Sequence, residues 1–341
     1  MRISKLSLLL LLVCIACSKQ KSIQDEIKSS DQNSVLKRII FDTDIAGDYD
    51  DVGAMALLHA FADNGEIKIL ATISSNAFQT TAPTISVLNT YFGRAEVPVG
   101  VTKRNSPNMD CQQKWAEALV EKYPHAIKSN DEAMEAVKLY RRILSNETDQ
   151  SVTIVTVGFF TNLADLLESK PDEFSELTGK ELVAKKVKLL VSMECGLVDG
   201  KNTWREYNVH VDAAASQKVF TEWNTPLILS PFELGEKILT GIRLINNDAI
   251  QNSPVKEAYR ITLDADKNSV GRMSWDQTAV LVAARGIEPY FNSEKLNFKI
   301  EIDGTNVLIP GEKFNYLSLK QTPQQIQLLI EDLMMHELND K

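Results

Sequence analysis

The chain has 341 residues, of which 44% are hydrophobic and 24% are charged, and its formal net charge is −9. This balance is typical of a globular protein and is enough for one large domain or two smaller ones. The negative net charge disfavours nucleic acid and anionic lipid surfaces as partners.

The first segment, residues 1–17, is typical of a secretion signal. A basic start with Arg2 and Lys5 precedes an apolar run over residues 8–13. Because this run is too short to span a bilayer as a helix, it indicates a signal peptide. The ending CIAC resembles a bacterial lipobox, which predicts a lipoprotein signal peptide with Cys17 as the lipidated first residue. A plain cleaved signal is the alternative.

Residues 18–36 are polar, with few apolar side chains, and are expected to form a tether. We therefore expect a lipoprotein of the cell envelope, anchored in a membrane through Cys17 and facing the periplasm or the cell surface. After cleavage, Cys111 and Cys195 are the other cysteines, so at most one disulfide is possible.

Residues 37–341 are expected to form the folded domain. Strand-like apolar runs alternate with helix-like runs along this segment, which predicts an α/β fold. We expect a single domain with a mostly parallel central sheet and helices on both faces. The predicted strands are KRIIFDTD (37–44), IKILATISS (67–75), SVTIVTVG (151–158), VKLLVSM (187–193) and PLILS (226–230). The predicted helices lie within 52–65, 82–93, 161–169 and 211–223.

Other segments complete the predicted elements. Helical stretches over 112–123 and 131–145 are expected to pack together as an insertion. The run NVLIPGEKFNYLSL (306–319) indicates a late β-hairpin with its turn at Pro310-Gly311. Residues 322–338 form an amphipathic pattern, which predicts a helix that covers the core.

An unusual concentration of negative charge follows the first predicted strand. Within RIIFDTDIAGDYDDVG (38–53), five aspartates fall in ten positions: Asp42, Asp44, Asp48, Asp50 and Asp51. In a parallel sheet, ligands bind outside the carboxyl ends of the strands, which is where this segment lies. Hard divalent cations such as Ca²⁺ bind several carboxylate oxygens at once. A bound cation would therefore hold these side chains together.

Three alternatives explain the aspartates less well. Helix capping and first-turn placement account for Asp50 and Asp51, but not for all five. An EF-hand loop that starts at Asp42 would place Gly53 where a bidentate Glu belongs, and it would follow a strand instead of a helix. A haloacid-dehalogenase-type phosphatase would carry Thr or Val at the position of Ala46.

Five segments, in order over roughly residues 37–290, resemble the inosine–uridine-preferring nucleoside hydrolase family. FDTDIAGDYDD is similar to the family's Asp-x-Asp-Pro-Gly-x-Asp-Asp signature, with two residues inserted and the proline lost, as in a longer variant. The other segments are ISSNAFQTTAPTISVLN, TVGFFTNLADLL, REYNVHVDAAASQKVF and SWDQTAVL.

The resemblance implies a Ca²⁺-dependent N-ribohydrolase, with a role for each matching residue. The implied metal ligands are Asp44, Asp51, the backbone carbonyl of Val157, and Asp276. Asp44 is implied as the base that activates water, and Asp50 as a catalytic residue that also holds a ribose hydroxyl. The other implied substrate-binding residues are Asn76, Glu206, Asn208 and Asp276. Asp42 is expected to be a structural acceptor, while Asp48 is left without a role.

The sequence differs from the family's pattern at a residue that would act on the leaving group. Many members of the family have a histidine before the final aspartate that can protonate the departing base, and here that position is Trp275. Trp275 is expected either to stack on the base as a substrate-binding residue or to be a core ring. His210 is another candidate acid, because strand alternation would place it on the same face as Asn208. Phe159 and Phe160 replace the family's usual small or Pro-Leu pair and are expected to reshape the pocket.

Two functions follow from these observations. The first is hydrolysis of ribonucleosides, purines favoured, to ribose and free base. The second is a lipid-anchored ribose- or nucleoside-binding protein that kept the metal site but lost turnover, as the Trp275 departure suggests. Only the first releases free ribose. The sequence leaves the identity of the riboside and homo-oligomerisation open.

Overall fold

The computed structural model describes residues 36–103 and 106–337. The predicted signal peptide, Cys17 and residues 18–35 of the predicted tether lie outside the described residues. The described residues from Lys37 onward form one compact unit. In the described ranges, no helix has both the length and the apolar character needed to cross a membrane.

A large sheet organises the described part of the chain. The strands are β1 (Lys37–Thr43), β2 (Ile67–Ser74), β3 (Val99–Val101), β4 (Met134–Glu135), β5 (Val152–Thr156), β6 (Val187–Ser192), β7 (Thr203–Trp204), β8 (Leu227–Leu229), β9 (Leu239–Thr240), β10 (Arg272–Met273), β11 (Phe291–Ile300) and β12 (Asn306–Leu319). The sheet order is β11-β12-β8-β6-β5-β1-β2-β3-β4, with β7 paired to β12 and with β9 and β10 forming a separate pair. All pairs from β12 through β8 to β4 are parallel, and β11 and β7 are antiparallel to β12.

Helices connect most of the strands. The α-helices of the described residues are α1 (Asp50–Asp63), α2 (Thr81–Tyr91), α3 (Trp115–Lys122), α4 (Ala136–Asn146), α5 (Thr161–Glu168), α6 (Gly179–Lys186), α7 (Tyr207–Val211), α8 (Ala213–Glu222), α9 (Phe232–Gly235), α10 (Ile242–Ile245), α11 (Pro254–Ala265), α12 (Trp275–Arg285) and α13 (Pro323–Met334). The predicted α/β fold with a mostly parallel sheet is confirmed.

The two faces of the sheet carry separate hydrophobic clusters. Along β1, Ile39 and Phe41 point into a cluster that contains residues of α1, α12 and α13. Ile40 points the other way, into a cluster that contains residues of α4, α5 and α8. This alternation explains why β1 is apolar on both sides, since helices cover both faces of the sheet.

Two predicted features of the fold are wrong. The stretch 112–123 contains helix α3. The stretch 131–145 is helical only from Ala136, where α4 begins, because β4 occupies Met134–Glu135. The two helices do not pack together as one insertion. Leu119 of α3 lies in the cluster of α1, whereas Leu139 of α4 lies in the cluster on the opposite face. Each helix therefore completes the cover of a different face of the sheet.

The second wrong feature is the hairpin turn at Pro310-Gly311. β12 continues through both residues and pairs with β11, and the pairing register shifts opposite Leu296 and Asn297. Gly311 has a φ of +130° there, and Asn297 Nδ2 donates to the Pro310 carbonyl at 3.3 Å. The actual turn lies at Glu301–Thr305 and includes Gly304, whose φ is +81°. Pro-Gly thus forms an irregularity within a strand, because the partner strand continues past it.

Candidate active site

The aspartate-rich loop opens into a cavity of about 330 Å³. β1 lies between β2 and β5, and the three strands end at the same edge of the sheet. The cavity is lined by Asp44, Gly47, Asp48, Asp50, Asp51, Val157, Met193, Glu206, Tyr207, Asn208, Phe232, Arg272, Trp275 and Asp276. Most of the residues that were predicted to hold metal or substrate therefore meet in one place.

Helices α1 and α12 bring three carboxylates together. Asp50 and Asp51 lie in the first turn of α1, and Asp276 lies in the first turn of α12. One oxygen from each of the three lies within 4.8 Å of the others. The two helices pack closely at Gly53, where a Cβ atom would stand 2.5 Å from Gln277 Nε2. The positive ends of both helix dipoles favour negative charge at this point.

Asp44 joins these carboxylates from the loop after β1. Gly158, after β5, permits this placement, since a Cβ atom there would lie 2.4 Å from the Asp44 backbone nitrogen. Ala46, two residues further on, has a φ of +84°. An alanine in this left-handed region is strained, and such strain is often found at functional sites. The loop therefore has a constrained shape that turns Asp44 toward the cavity.

Burial makes these carboxyl groups hard to ionise. It raises the pKa of Asp44 to about 8, and the neighbouring charges of Asp50 and Glu206 also raise this pKa. Burial and nearby carboxylates likewise raise the pKa values of Asp50, Asp51 and Asp276 well above the usual range. Four such groups cannot all be ionised at neutral pH without a compensating positive charge.

The donor set fits a hard divalent cation. Asp51 Oδ1 accepts a hydrogen bond from Thr43 Oγ1, while its Oδ2 is buried without a hydrogen-bond partner among the described residues. Val157 lines the same cavity, and its carbonyl accepts from Asn208 Nδ2 at 3.0 Å, which leaves this oxygen a second lone pair. Carboxylate and carbonyl oxygens are the ligands that Ca²⁺ and Mg²⁺ prefer. Oxygens of Asp50, Asp51 and Asp276 lie together, and the predicted ligands Asp44 and Val157 line the same cavity.

Glu206 and Asn208 lie at the start of α7. Glu206 Oε2 accepts from the backbone N–H of Val209 at 2.9 Å and so caps the helix. Burial raises the pKa of Glu206 to about 7. Asn208 Nδ2 also donates to the Met193 carbonyl at 3.3 Å. Both side chains are buried on the cavity wall, where they are held by the backbone.

Asn76 differs from its expected role as a ligand for ribose. Its side chain is fully buried and is not among the residues that line the cavity. Nδ2 donates to the carbonyls of Asp44 at 3.1 Å and Met109 at 2.7 Å, and Oδ1 accepts from Phe78 N and Met109 N. The amide thus joins the aspartate loop to the 106–111 segment and shapes the site from behind.

Asp42 has the surroundings expected of a structural acceptor. It is fully buried, and it accepts hydrogen bonds from Tyr140 Oη at 2.8 Å and from Asn162 Nδ2 at 3.1 Å. Burial raises the pKa of Asp42 to about 7. The side chain therefore fixes the end of β1 and lies outside the cavity wall.

The two candidates for activating the leaving group lie in different surroundings. Trp275 is partly exposed on the cavity wall, where it packs against Phe232 with ring centroids 5.1 Å apart and donates from Nε1 to the Phe232 carbonyl at 2.8 Å. His210 does not follow strand alternation with Asn208, since residues 207–211 are helical. It packs on Tyr207 and is not a lining residue. The expectation for His210 was therefore wrong, because the Glu206 cap starts a helix there.

Sequence reasoning missed Arg272 and Glu194. Arg272 lines the cavity and forms an ion pair with Asp48. Burial lowers the pKa of Arg272 to about 10, so the side chain stays charged at neutral pH. Glu194 is buried, with neither carboxyl oxygen hydrogen-bonded within the described residues, and burial and the charge of Glu206 raise its pKa. Glu194 follows β6, so the strand-end rule could have indicated it.

Comparison with known families decides the classification. The model of the family described as "Inosine-uridine preferring nucleoside hydrolase" matches residues 39–327. The chain belongs to this family. It is therefore a hydrolase that acts on N-glycosyl bonds. A search of curated proteins found no match.

Solved structures show the same fold. An inosine-uridine preferring nucleoside hydrolase from Bacillus anthracis is 14% identical, covers 88% of this chain and 99% of its own, and has a TM-score of 0.65. A purine-preferring ribonucleoside hydrolase from Gardnerella vaginalis is 15% identical, with 88% and 99% coverage and a TM-score of 0.65. The type III effector protein XopQ, solved with adenosine diphosphate ribose, is 14% identical, with 89% and 94% coverage and a TM-score of 0.68.

Proposed function

We propose that this chain is a Ca²⁺-dependent N-ribohydrolase that cleaves ribonucleosides to ribose and free base and favours purines. The observation that carries the proposal is the group of buried carboxylates around one cavity, which needs a cation to be ionised. The residues that would hold the cation are Asp44, Asp51, Asp276 and the carbonyl of Val157. When bound, Ca²⁺ supplies the positive charge that lowers the pKa of a nearby water.

The protein groups have separate tasks in this reaction. The Asp44 carboxylate, once ionised, takes the proton of the water that adds to the ribosyl C1′. Asp50, Glu206 and Asn208 lie on the same wall and can hold ribose hydroxyls. Cleavage passes through an oxocarbenium-like transition state, as in glycoside hydrolysis, and the surrounding carboxylates stabilise its positive charge. A sugar that lacks one hydroxyl would leave a buried polar group without a partner, so it should be a poor substrate.

The apolar part of the cavity supports the purine preference. Phe232, Trp275 and Tyr207 line it, and Tyr207 is 48% exposed. Aromatic rings bind a large planar base through stacking. Such stacking favours a two-ring base over the single ring of a pyrimidine.

The location is also a proposal. We propose that the chain is anchored in a membrane of the cell envelope through Cys17 and acts on nucleosides outside the cytoplasm. This proposed location rests on the sequence pattern of residues 1–36. More than one acyl chain would make such attachment stable.

A nucleoside panel tests the function. The purified full-length chain is incubated with inosine, guanosine, adenosine and uridine in Ca²⁺, and ribose and free base are measured. We expect both products to accumulate catalytically and the purine ribosides to react faster. Binding of inosine without release of ribose would instead support the binding protein that has lost turnover.

A further inference from the structure

Arg272 occupies an unusual position on the cavity wall. Among the described lining residues it is the only basic side chain, and histidine is absent from that set. Its guanidinium contacts two aromatic rings, with Cζ 4.9 Å from the centroid of Trp275 and 5.3 Å from that of Tyr49. Its Nη2 pairs with Asp48, and its Nε is buried without a hydrogen-bond partner within the described residues. A planar cation is thus fixed beside the aromatic wall.

The residues that hold Arg272 come from the lengthened aspartate segment. Asp48 and Tyr49 lie between Asp44 and Asp50, where this chain has two residues more than the family's common signature. Arg272 itself comes from β10, three residues before Trp275 at the start of α12. Two distant segments therefore build one arrangement of an arginine, its carboxylate partner and two rings.

Positive charge beside the leaving group favours its departure. When the bond between C1′ and N9 of a purine riboside breaks, the electron pair leaves with the base. In a 6-oxopurine that negative charge spreads to N7 and O6, which lie side by side as hydrogen-bond acceptors. The planar donor fork of arginine matches these two acceptors, as it does in guanine recognition. Adenine presents a donor amino group at the position of O6, which faces the guanidinium unfavourably.

We propose that Arg272 binds and stabilises the departing base, and that it selects 6-oxopurine ribosides over adenosine. This inference rests on the N-ribohydrolase function proposed above. The step balances without another reactant: water adds to C1′ and gives its proton to Asp44, while the base leaves as an anion and is protonated by solvent. Arg272 keeps its proton and donates hydrogen bonds throughout. Trp275 and Tyr49 hold the guanidinium plane, and Asp48 orients it.

Three substrates separate this role from a structural one. Inosine needs charge stabilisation on its base, adenosine offers a poorer match to the guanidinium, and a para-nitrophenyl riboside has a leaving group that departs as a stable anion unaided. The parent should prefer inosine to adenosine. We expect Arg272→Gln to lower kcat/KM for inosine by about 100-fold, the usual effect of removing one preorganised donor. The variant should lose the preference for inosine and keep its rate on the nitrophenyl riboside.

A matched control is available at the far end of helix α12, which follows the strand of Arg272. Arg285 lies at the other end of α12, where it stacks on Phe61 at 4.9 Å and pairs with Glu66 at 2.8 Å, away from the cavity. Arg285→Gln removes the same chemical group from the same kind of contact. We expect it to leave the ratio of inosine to nitrophenyl riboside activity unchanged.

The outcomes are distinct. Equal loss on all three substrates, or no loss on inosine, in folded Arg272→Gln protein would overturn the assignment. If that variant does not fold, Asp48→Asn decides, since it keeps the arginine and removes only its partner. A lowered ratio of inosine to nitrophenyl riboside activity in Asp48→Asn supports the role, and an unchanged ratio overturns it. A parent chain that cleaves none of the three substrates would instead refute the N-ribohydrolase function.

Discussion

Replacing Asp51 by asparagine should stabilise the metal-free fold, although the position is fully buried. Two unit charges 4.8 Å apart, the spacing that bounds the Asp50, Asp51 and Asp276 oxygens, repel by about 3.5 kcal/mol at an effective dielectric constant of 20. Proton uptake by these carboxyls already relieves part of the repulsion. We therefore expect the variant to gain about 1–3 kcal/mol in free energy of unfolding without metal. Its amide oxygen can still accept from Thr43.

In excess Ca²⁺, the parent should become more stable than the Asp51→Asn variant. A ligand at 100 times its Kd stabilises the parent by about 2.7 kcal/mol, which raises the Tm of a domain of this size by roughly 4 °C. Asp51→Asn loses a charged ligand and should show little of this shift. The assay is thermal unfolding of both proteins followed by circular dichroism, in chelator and in excess Ca²⁺. Calorimetric titration reports the affinity directly.

A second buried aspartate provides the control. Asp42 accepts from Tyr140 and Asn162, so Asp42→Asn places an amide group against a donor and should lower stability with and without metal. Its Ca²⁺-induced rise in Tm should match that of the parent. If Asp51→Asn also lowers the Tm in chelator and keeps the full calcium shift, Asp51 is not a ligand and the charge argument fails.

The buried carboxyl groups of the site also make the stability of the metal-free protein depend on pH. The folded-state pKa is about 8 for Asp44 and about 7 for Glu206, above the values of an unfolded chain. The native state then binds more protons than the unfolded state, so metal-free stability falls as pH rises from about 4 to about 8. Bound Ca²⁺ requires ionised ligands, so the gap in Tm between calcium and chelator should widen over that range. If the Tm difference between calcium and chelator narrows as pH rises, the buried carboxyl groups are not the ionising ligands of the metal.

Three other changes test separate features. Cys17→Ser should move the protein from the membrane fraction to the soluble fraction, and retention in the membrane would mean that another element anchors it. Trp275→Ala should lower kcat for inosine more than for uridine, because stacking on the base strengthens as the bond breaks; an unchanged kcat for inosine would remove the stacking role. Tyr140→Phe should cost about 1–3 kcal/mol of stability in urea unfolding, because buried Asp42 loses a donor. Its calcium affinity should stay that of the parent, and a large loss would place Asp42 in the metal site.

The sequence alone predicted where a strand or a site residue lies in the fold wherever a local pattern determines that position. The apolar run before Asp42 is a strand, because helices cover both faces of the sheet, and the aspartates after it lie at the strand end, where ligands bind. The start of α12 is likewise marked by Trp275 and Asp276. These rules place residues at the edge of the sheet, and they say nothing about which way a side chain points.

What the sequence could not predict depends on contacts between distant segments. Asn76 was correctly expected after β2, but its amide binds Met109 and the Asp44 carbonyl, so its side chain does not reach the cavity. Pro310-Gly311 has the composition of a turn, yet β11 pairs along it on both sides. Arg272 and Asp48 are 224 positions apart, and no pattern in either segment links them.

The most direct test is to follow ribose release from inosine by the metal-depleted full-length chain while Ca²⁺ is added. We expect no turnover in chelator, activity that rises with Ca²⁺ until one site per chain is filled, and many ribose molecules released per chain. Full activity in chelator, or calcium binding with no ribose released, would contradict the claim that the buried carboxylates form the metal site of a nucleoside hydrolase.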